Sequence, residues 1–386
     1  MDRKFDMLLV QRGARLRRSP FFESTLDHGA QSYTVYNHML FPINFADLEE
    51  EYWQLINGVT LWDVSVERQV EISGPDAFAF TNMLTPRDLS SCAVGQGKYV
   101  LITAEDGGII NDPVLLRLAE DRFWLALADS DVLLWVKGVA LNSGMDVDIF
   151  EPDVSPLQIQ GPKSMDVMEA LVGPEVLDLD YYYFIEVNLG DIPLIVTRTG
   201  WSGEVGYEIY LRDSQFGAEL WERIFAAGKD HGLAPTGPSD IRRIEAGILN
   251  YGADMTIMNN PYEVGLGWLV DLDGDQEFIG REALARIKAA GVDRKLVGLE
   301  ISGDPIPFNM TRWPVFSNGE EVGYVTSAVY SPRLKLNIGY ANVPVELADI
   351  GQELVVSIAG VGDREARVVR KPFVDPDKSI PKSALD

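Results

Sequence analysis

Arg198-Thr199-Gly200-Trp201-Ser202-Gly203-Glu204-Val205-Gly206-Tyr207-Glu208-Ile209 is the stretch on which the reading of this chain turns. It joins a predicted strand, residues 192–197, to another at 208–211. Its three glycines allow positive φ and a close approach of backbone to a ligand. Around them stand two carboxylates, an indole and a phenol. A planar heterocycle with a cyclic amidine edge, such as a pterin, suits this set. A carboxylate accepts two parallel N–H bonds from that edge, and aromatic faces cover the ring. Read alone, the loop fits a ligand-free glycine-rich hairpin equally well.

Composition narrows the class. The chain has 386 residues, enough for two or three packed domains. Its hydrophobic content of 46% and charged content of 24% are those of an ordinary globular protein. Lysine and arginine number 33 against 59 acids, a net charge of −26. Such a charge repels nucleic acid and anionic membrane at long range. Arg12, Arg15, Arg17 and Arg18 form the one basic run, read as part of a solvated arm over residues 1–18. A single cysteine, Cys92, excludes an intrachain disulfide and a cysteine metal cluster. His28, His38 and His231 have no metal-ligand spacing. Asp271-Leu272-Asp273-Gly274-Asp275 carries its glycine at the fourth place rather than the sixth of a calcium loop, and reads as a turn. Phosphate-loop and dinucleotide fingerprints are missing, so neither ATP nor NAD is indicated. No apolar run reaches the length of a signal peptide core or a membrane span. The expectation is a cytoplasmic, metal-free enzyme.

The pattern along the chain alternates helices and strands. Helices are expected over 48–56, 77–84 with Asp76 as cap, 131–143, 163–171, 217–231 and 238–249. Strands are expected at 99–103, 114–118 and 123–128, with Gly107-Gly108 turning a hairpin between the first two. Past residue 294 the texture changes to six short strands: 296–301, 314–316, 322–329, 337–343, 354–358 and 366–370. Turn signals at 317–319 and 360–363 separate them, which suggests a small antiparallel barrel. The fold class is therefore α+β. Residues 19–290 divide into two α/β subdomains, 19–68 plus 155–290 and 69–154. The barrel takes 294–373, and 374–386 reads as a mobile tail.

The opening stretch resembles the signature of the folate-dependent aminomethyltransferase (glycine cleavage T-protein) family, R-T/S-G-Y/F-T-G-E-x-G-F/Y-E. Further matches follow in that family's order. They are Leu61-Trp62-Asp63-Val64-Ser65, Gly107-Gly108-Ile109-Ile110-Asn111-Asp112, Gln160-Gly161-Pro162, Arg243-Ile244-Glu245-Ala246-Gly247, Phe278-Ile279-Gly280-Arg281-Glu282 and Val325-Thr326-Ser327. Tyr33-Thr34-Val35-Tyr36-Asn37, Val66-Glu67-Arg68-Gln69 and Ile149-Phe150-Glu151-Pro152 are similar to its dimethylsulfoniopropionate demethylase branch. The glycine-cleavage branch has A-R-D where this chain reads Pro238-Ser239-Asp240. A non-catalytic folate-binding branch has a cysteine in the segment that here reads Gln276-Glu277-Phe278-Ile279-Gly280, and this chain has none there.

The resemblance implies a three-domain clover-leaf ring with tetrahydrofolate as methyl-accepting cosubstrate in the central channel. The implied reaction moves a methyl group from dimethylsulfoniopropionate to tetrahydrofolate, giving 5-methyltetrahydrofolate and 3-(methylthio)propionate. Alternatives are demethylation of a methylated amine such as dimethylglycine or a betaine, aminomethyl transfer, or folate binding without catalysis. Asp112 corresponds to the family's catalytic aspartate, although by itself Asn111-Asp112-Pro113 reads as a turn. Glu208 corresponds to the pterin-binding acid. Tyr99, Tyr207 and Trp201 are the other folate candidates, and Glu204 reads as a solvated loop residue. An onium substrate offers no hydrogen bond at its cation, so aromatic faces must recognise it. Tyr33, Trp62, Trp201 and Tyr207, with Tyr36, are the candidates, and Lys98 or Arg333 could take a substrate carboxylate. Partners are a small onium molecule and folate, with no nucleic acid or membrane; a homodimer is left open.

Overall fold

The computed structural model describes residues 13–383. Its centre is a six-stranded sheet in the order Phe184–Leu189, Ile192–Thr197, Gly206–Leu211, Ser155–Gln160, Thr60–Asp63, Ala234–Pro235. All neighbours are antiparallel except the last pair. Side chains alternate between the faces of a strand. Leu157, Ile159, Val196, Tyr207 and Ile209 therefore share one face, buried with Met165, Met168, Leu220, Trp221 and Ile224 of helices Ser164–Val172 and Gly217–Gly228. Ile195 and Tyr210 lie on the other face, packed against Leu116, Trp124 and Ala126.

Those three residues belong to a five-stranded antiparallel sheet, Asp148–Phe150, Gln69–Ser73, Arg122–Ala126, Val114–Ala119, Gln96–Tyr99. Its far face is covered by helices Ala77–Leu84 and Val132–Ser143. The two sheets thus meet face to face, and polar residues on the meeting faces are drawn together. Six further strands, Arg294–Ile301, Leu336–Pro344, Glu320–Ser331, Trp313–Ser317, Glu353–Ile358 and Gly362–Val369, close into a barrel in that order. The fold is α+β with a C-terminal antiparallel barrel, as the strand spacing predicts.

Several elements differ from the sequence expectation. The 99–103 segment is two strands, Gln96–Tyr99 paired with Val114–Ala119, and Ile102–Thr103 paired with Ile109–Asn111. Gly107 turns only the second pair, at φ 90°. The helix expected over 238–249 is just Asp240–Glu245, because Gly247 at φ 72° stops it. Asp76 accepts from Asp146 N at 2.7 Å instead of capping its own helix. The arm and the tail also depart from expectation. Arg17 exchanges backbone bonds with His38 and Leu40 and pairs with Glu151 at 2.6 Å. Residues 1–12 and 384–386 lie outside the described chain. Residues 373 and 374 donate to Glu245 O, and Arg198 donates to Ser383 O, so the described tail is bound at both its ends. Among the described residues no helix is long and apolar enough to cross a membrane.

Helix Asp240–Glu245 ties the parts together with two buried arginines. Arg242 donates to Glu204 at 2.7 Å. Arg243 donates to Asp254 at 2.6 Å and to Ser327 Oγ of the barrel at 2.8 Å. Asp254 also receives Thr326 and Ser327, and Glu245 receives Tyr52 and Ser331. Removing one member of such a buried pair strands the other's charge, which costs about 3–5 kcal/mol. Arg243→Met should accordingly lower the thermal midpoint sharply, whereas Arg223→Met, which breaks an exposed pair with Glu219, should shift it little. Equal midpoints for the two variants would remove Arg243 from its central role.

Candidate functional site

The 198–206 loop is held by the side chain of Gln160. Its amide nitrogen donates to Thr199 O and Tyr207 O at 3.2 and 3.3 Å, and its oxygen accepts from Ser202 Oγ at 2.5 Å. A Cβ at Gly200 or Gly206 would overlap this amide, which is why both positions are glycine. Glu204 is 7% exposed and paired with Arg242, with Arg333 at 3.8 Å. The expectation of a solvated Glu204 is corrected: the loop folds its carboxylate inward onto the helix.

Glu208 faces the space between the sheets. It lies in a cross-strand row of Thr197, Glu208, Gln158 and Trp62. Gln158 donates to its Oε1 at 2.8 Å, and Thr199 and Tyr210 each donate to Oε2 at 2.7 Å. Burial pushes its carboxyl above the usual range, while the hydroxyls of Thr199, Tyr210 and Thr197 pull it back. Oε1 holds one partner only and keeps a lone pair for a ligand N–H. Trp201, partly exposed, donates its backbone N–H to Gln158 Oε1 at 3.3 Å, and its indole lies against the Arg243 guanidinium, 5.7 Å from ring centre to guanidinium carbon.

Asp112 directly follows strand Ile109–Asn111, two residues before strand Val114–Ala119. Tyr99 donates to its Oδ2 at 2.9 Å, and Oδ1 is buried without a partner. Burial raises this carboxyl from 3.8 to about 7, although the Tyr99 bond works the other way. An acid in that range can gain or lose a proton near neutrality. Tyr251, fixed through Ile109 O at 2.9 Å, faces the same carboxylate.

A hydrogen-bonded hub sets what surrounds Asp112. Asn111 donates through Nδ2 to Ala128 O at 2.9 Å, and its Oδ1 accepts from Ala128 N at 3.1 Å. Asn37 Nδ2 donates to the same Ala128 O at 3.1 Å and to Val66 O at 3.0 Å. The neighbours of these residues, Asp112, Tyr36 and Glu67, are thereby brought together. Glu67 faces both Glu208 and Asp112, and burial raises its carboxyl well above the ordinary range. Tyr36 faces Asp112 and Glu67, and Tyr210 faces Glu208 and Glu67.

Of the residues singled out in the sequence, Tyr99 and Asp112 share a hydrogen bond, and Glu208 and the backbone of Trp201 share Gln158. Tyr207 joins neither group. It is fully buried in the helix-side core, on the opposite face of its strand from Glu208, and its assignment to folate and substrate is corrected. Trp62 shares Glu208's face but is fully buried with Leu55 and Val64, its indole N–H unpartnered, so it backs the site. Tyr33 bonds Thr25 at 2.7 Å and packs on Phe22, contacts that tie it to helix Phe22–Asp27. Lys98 alternates away from Tyr99 and reaches Ser91 at 3.3 Å in an exposed loop. Sequence reading missed Gln158, Tyr210 and Glu67 as site residues. Tyr210 was findable as the second residue after Glu208 on one strand face. Gln158 was findable as a polar residue inside an apolar alternation. Glu67 had no local signal.

Comparison with known proteins agrees with the fold. Residues 21–274 match the GCVT N-terminal domain, and residues 294–375 match the glycine cleavage T-protein C-terminal barrel domain. A dimethylsulfoniopropionate demethylase of Ruegeria pomeroyi is 41% identical over 329 residues, covering 85% of this chain and 90% of the relative. An aminomethyltransferase of Symbiobacterium thermophilum is 34% identical over 369 residues, 93% of this chain and 97% of the relative. The crystal structure of glycine cleavage system aminomethyltransferase T from Bartonella henselae superposes with a TM-score of 0.84 at 25% identity, covering 96% of this chain and all of that one.

The raised Asp112 carboxyl has a consequence for stability. The folded protein holds this proton more tightly than the unfolded chain, whose value is 3.8, so the contribution is full below pH 3.8 and is lost as pH rises through about 7. Asp112→Asn removes that loss. Its melting temperature relative to the parent should be higher at pH 8 than at pH 4, read by thermal unfolding at both. A difference that ignores pH would mean the carboxyl is not buried as described.

Proposed function

The chain belongs to the glycine cleavage T-protein family of folate-dependent transferases, and on that footing we propose that it is a tetrahydrofolate-dependent demethylase acting on dimethylsulfoniopropionate. One observation carries the reading: Asp112, with an orphaned oxygen and a value near neutrality, and the donor-oriented Glu208 address one region between the two sheets. The 41% identity with a relative bearing that activity supports the substrate.

The residues fit a reduced pterin. Glu208 has an oxygen with spare acceptor capacity, and the loop enters its hydrogen-bond network through Thr199 Oγ1 and, by way of Gln158, the backbone of Trp201. Tetrahydrofolate would supply the accepting nitrogen, N5. The methyl group passes from sulfur to N5, the thioether leaves neutral, and one proton is released. A neutral leaving group needs no general acid, so the chain's task is alignment and proton removal. Glu208 orients the ring. Asp112, close to neutrality, receives the proton directly or through a water. Tyr99 holds the carboxylate in place through its 2.9 Å bond.

Aminomethyl transfer is the second reading, favoured by the near full-length match to aminomethyltransferases. Against it, Pro238-Ser239-Asp240 lacks the arginine of that branch, and Ser239 here caps the following helix through Arg242 N at 3.2 Å.

The deciding experiment incubates the protein and tetrahydrofolate with dimethylsulfoniopropionate, dimethylglycine, glycine betaine or an aminomethylated lipoyl carrier, and follows folate mass. 5-Methyltetrahydrofolate from the sulfonium alone is expected. Turnover of an amine or of the carrier without turnover of the sulfonium refutes the proposal. Glu208→Ala should weaken tetrahydrofolate binding by about 2–4 kcal/mol in titration calorimetry, the worth of a charge-assisted paired contact. In Asp112→Asn, kcat should fall far more than either affinity. The parent's rate should rise with pH through about 7 as Asp112 ionises, and that limb should vanish in the variant.

A further inference from the structure

Arg198, the first residue of the glycine-rich loop, is 6% exposed, and among the described residues no carboxylate pairs with it. A buried guanidinium depends on oxygen acceptors for its donors. Two backbone carbonyls serve here. Nη1 donates to Leu179 O at 2.9 Å, and Nη2 donates to Ser383 O near the end of the described chain. Nε is buried without a partner. The segment that supplies Ser383 O folds on itself. Asp375 accepts from Ser379 N at 2.9 Å and from Ile380 N at 2.8 Å, and Ser383 N donates to Ile380 O at 3.1 Å. Just before it, residues 373 and 374 donate to Glu245 O, on the helix whose Arg242 grips Glu204. The tail thus runs from the helix that holds one end of the loop to the arginine that begins the other.

Arg198 and Thr199 are consecutive, and their side chains go opposite ways. Arg198 reaches Leu179, a residue of the helix-side core, whereas Thr199 Oγ1 donates to Glu208 Oε2 at 2.7 Å on the other face. We propose that Arg198 is a positioning residue for Glu208 and that the C-terminal tail is its latch, so that docking of residues 375–383 and binding of tetrahydrofolate strengthen one another. The proposal rests on the assignment of Glu208 to the pterin and adds what holds that acid in place. With the tail docked, Arg198 stays inward and Thr199 keeps Oε2 occupied, which leaves the spare lone pair of Oε1 for the ligand. With the tail released, Nη2 joins Nε without an acceptor, and the guanidinium turns towards water to recover its bonds. That turn of the backbone carries Thr199 away from Oε2, and the carboxylate loses one of the donors that fix its rotation. A ligand that requires the fixed orientation favours the docked tail, and linkage makes the effect mutual.

The test reads the tail and the ligand separately in the full chain. Lys378 and Lys382 are exposed and each precedes a serine, so trypsin reports release of the tail as fragments identified by mass. Saturating tetrahydrofolate should slow cleavage at both sites in the parent by roughly tenfold, the equilibrium factor of one hydrogen bond to a charged group. In Arg198→Met cleavage should be fast with or without the ligand, and the Kd for tetrahydrofolate in calorimetry should rise by about the same factor. The KM for dimethylsulfoniopropionate should stay within about twofold. Arg198→Lys, which keeps a charged donor for one carbonyl, should restore most of the folate affinity. Asp375→Ala, which removes the tail's own bonds, should also weaken tetrahydrofolate, and combining it with Arg198→Met should add nothing. Cleavage that ignores tetrahydrofolate in the parent, or additive losses in the double variant, overturns the latch. Equal loss of affinity for both ligands in Arg198→Met, without rescue by lysine, overturns the positioning role. If Arg198→Met does not fold, protection of the parent and the affinity of Asp375→Ala decide. These outcomes leave the assignment of Glu208 standing, whereas unchanged tetrahydrofolate affinity in Glu208→Ala overturns that assignment and the positioning role together.

Discussion

Two adjacent arginines hold this molecule in register. Successive helix residues point about 100° apart, so Arg242 reaches back to Glu204 of the glycine-rich loop while Arg243 reaches forward to Asp254 and the barrel residue Ser327. Burial disfavours the Arg243 cation, but Asp254 and Asp240 outweigh it and hold it charged. Such pairs add little net stability over an apolar core of equal volume. Their effect here is geometric. A six-residue helix fixes a loop on one side and a barrel on the other, and the loop runs directly into the strand that carries Glu208.

Below that level the site is a product of strand alternation. One face of the six-stranded sheet is apolar and takes two helices, and the other offers Glu208, Gln158, Tyr210 and Thr197 to the five-stranded sheet. Packing of Ile195 and Tyr210 against Leu116 and Trp124 brings the sheets close. Polar groups caught beside this contact lose water and must find partners within it. Glu208 finds four donors, Thr197 the most distant at 3.5 Å. Asp112 finds one and keeps an orphaned oxygen. In the proposed reaction the difference would give the two acids different work, the first as an oriented acceptor and the second as a group that exchanges a proton.

Desolvation dominates the electrostatics. It is the leading cause of the raised values of Glu67, Asp112 and Glu208 alike. Each would ionise more easily in water, so the fold spends stability to keep them there, a trade common where stability and activity compete. A ligand that brings N–H donors and positive charge recovers part of that cost.

Much of this was legible in the amino-acid order. Glycine spacing in 198–206 announced a strand, a tight loop and a strand, because glycine's freedom is a local property. Short strand-like runs separated by turn signals past residue 294 announced the six barrel strands, and ordered motifs pointed to the family. Asp112, Glu208 and Tyr99 could be named from those motifs. Other features were decided by the tertiary structure. Glu204 is buried because Arg242 arrives from another element to neutralise it. Tyr207 is core because helices cover its face of the strand. Glu67 enters the site because Asn37 grips Val66 and Ala128 from a distant hairpin. Backbone preference and periodicity act over a few residues and can be read along the chain; burial and charge pairing depend on what arrives from far away, and only the folded arrangement supplies that.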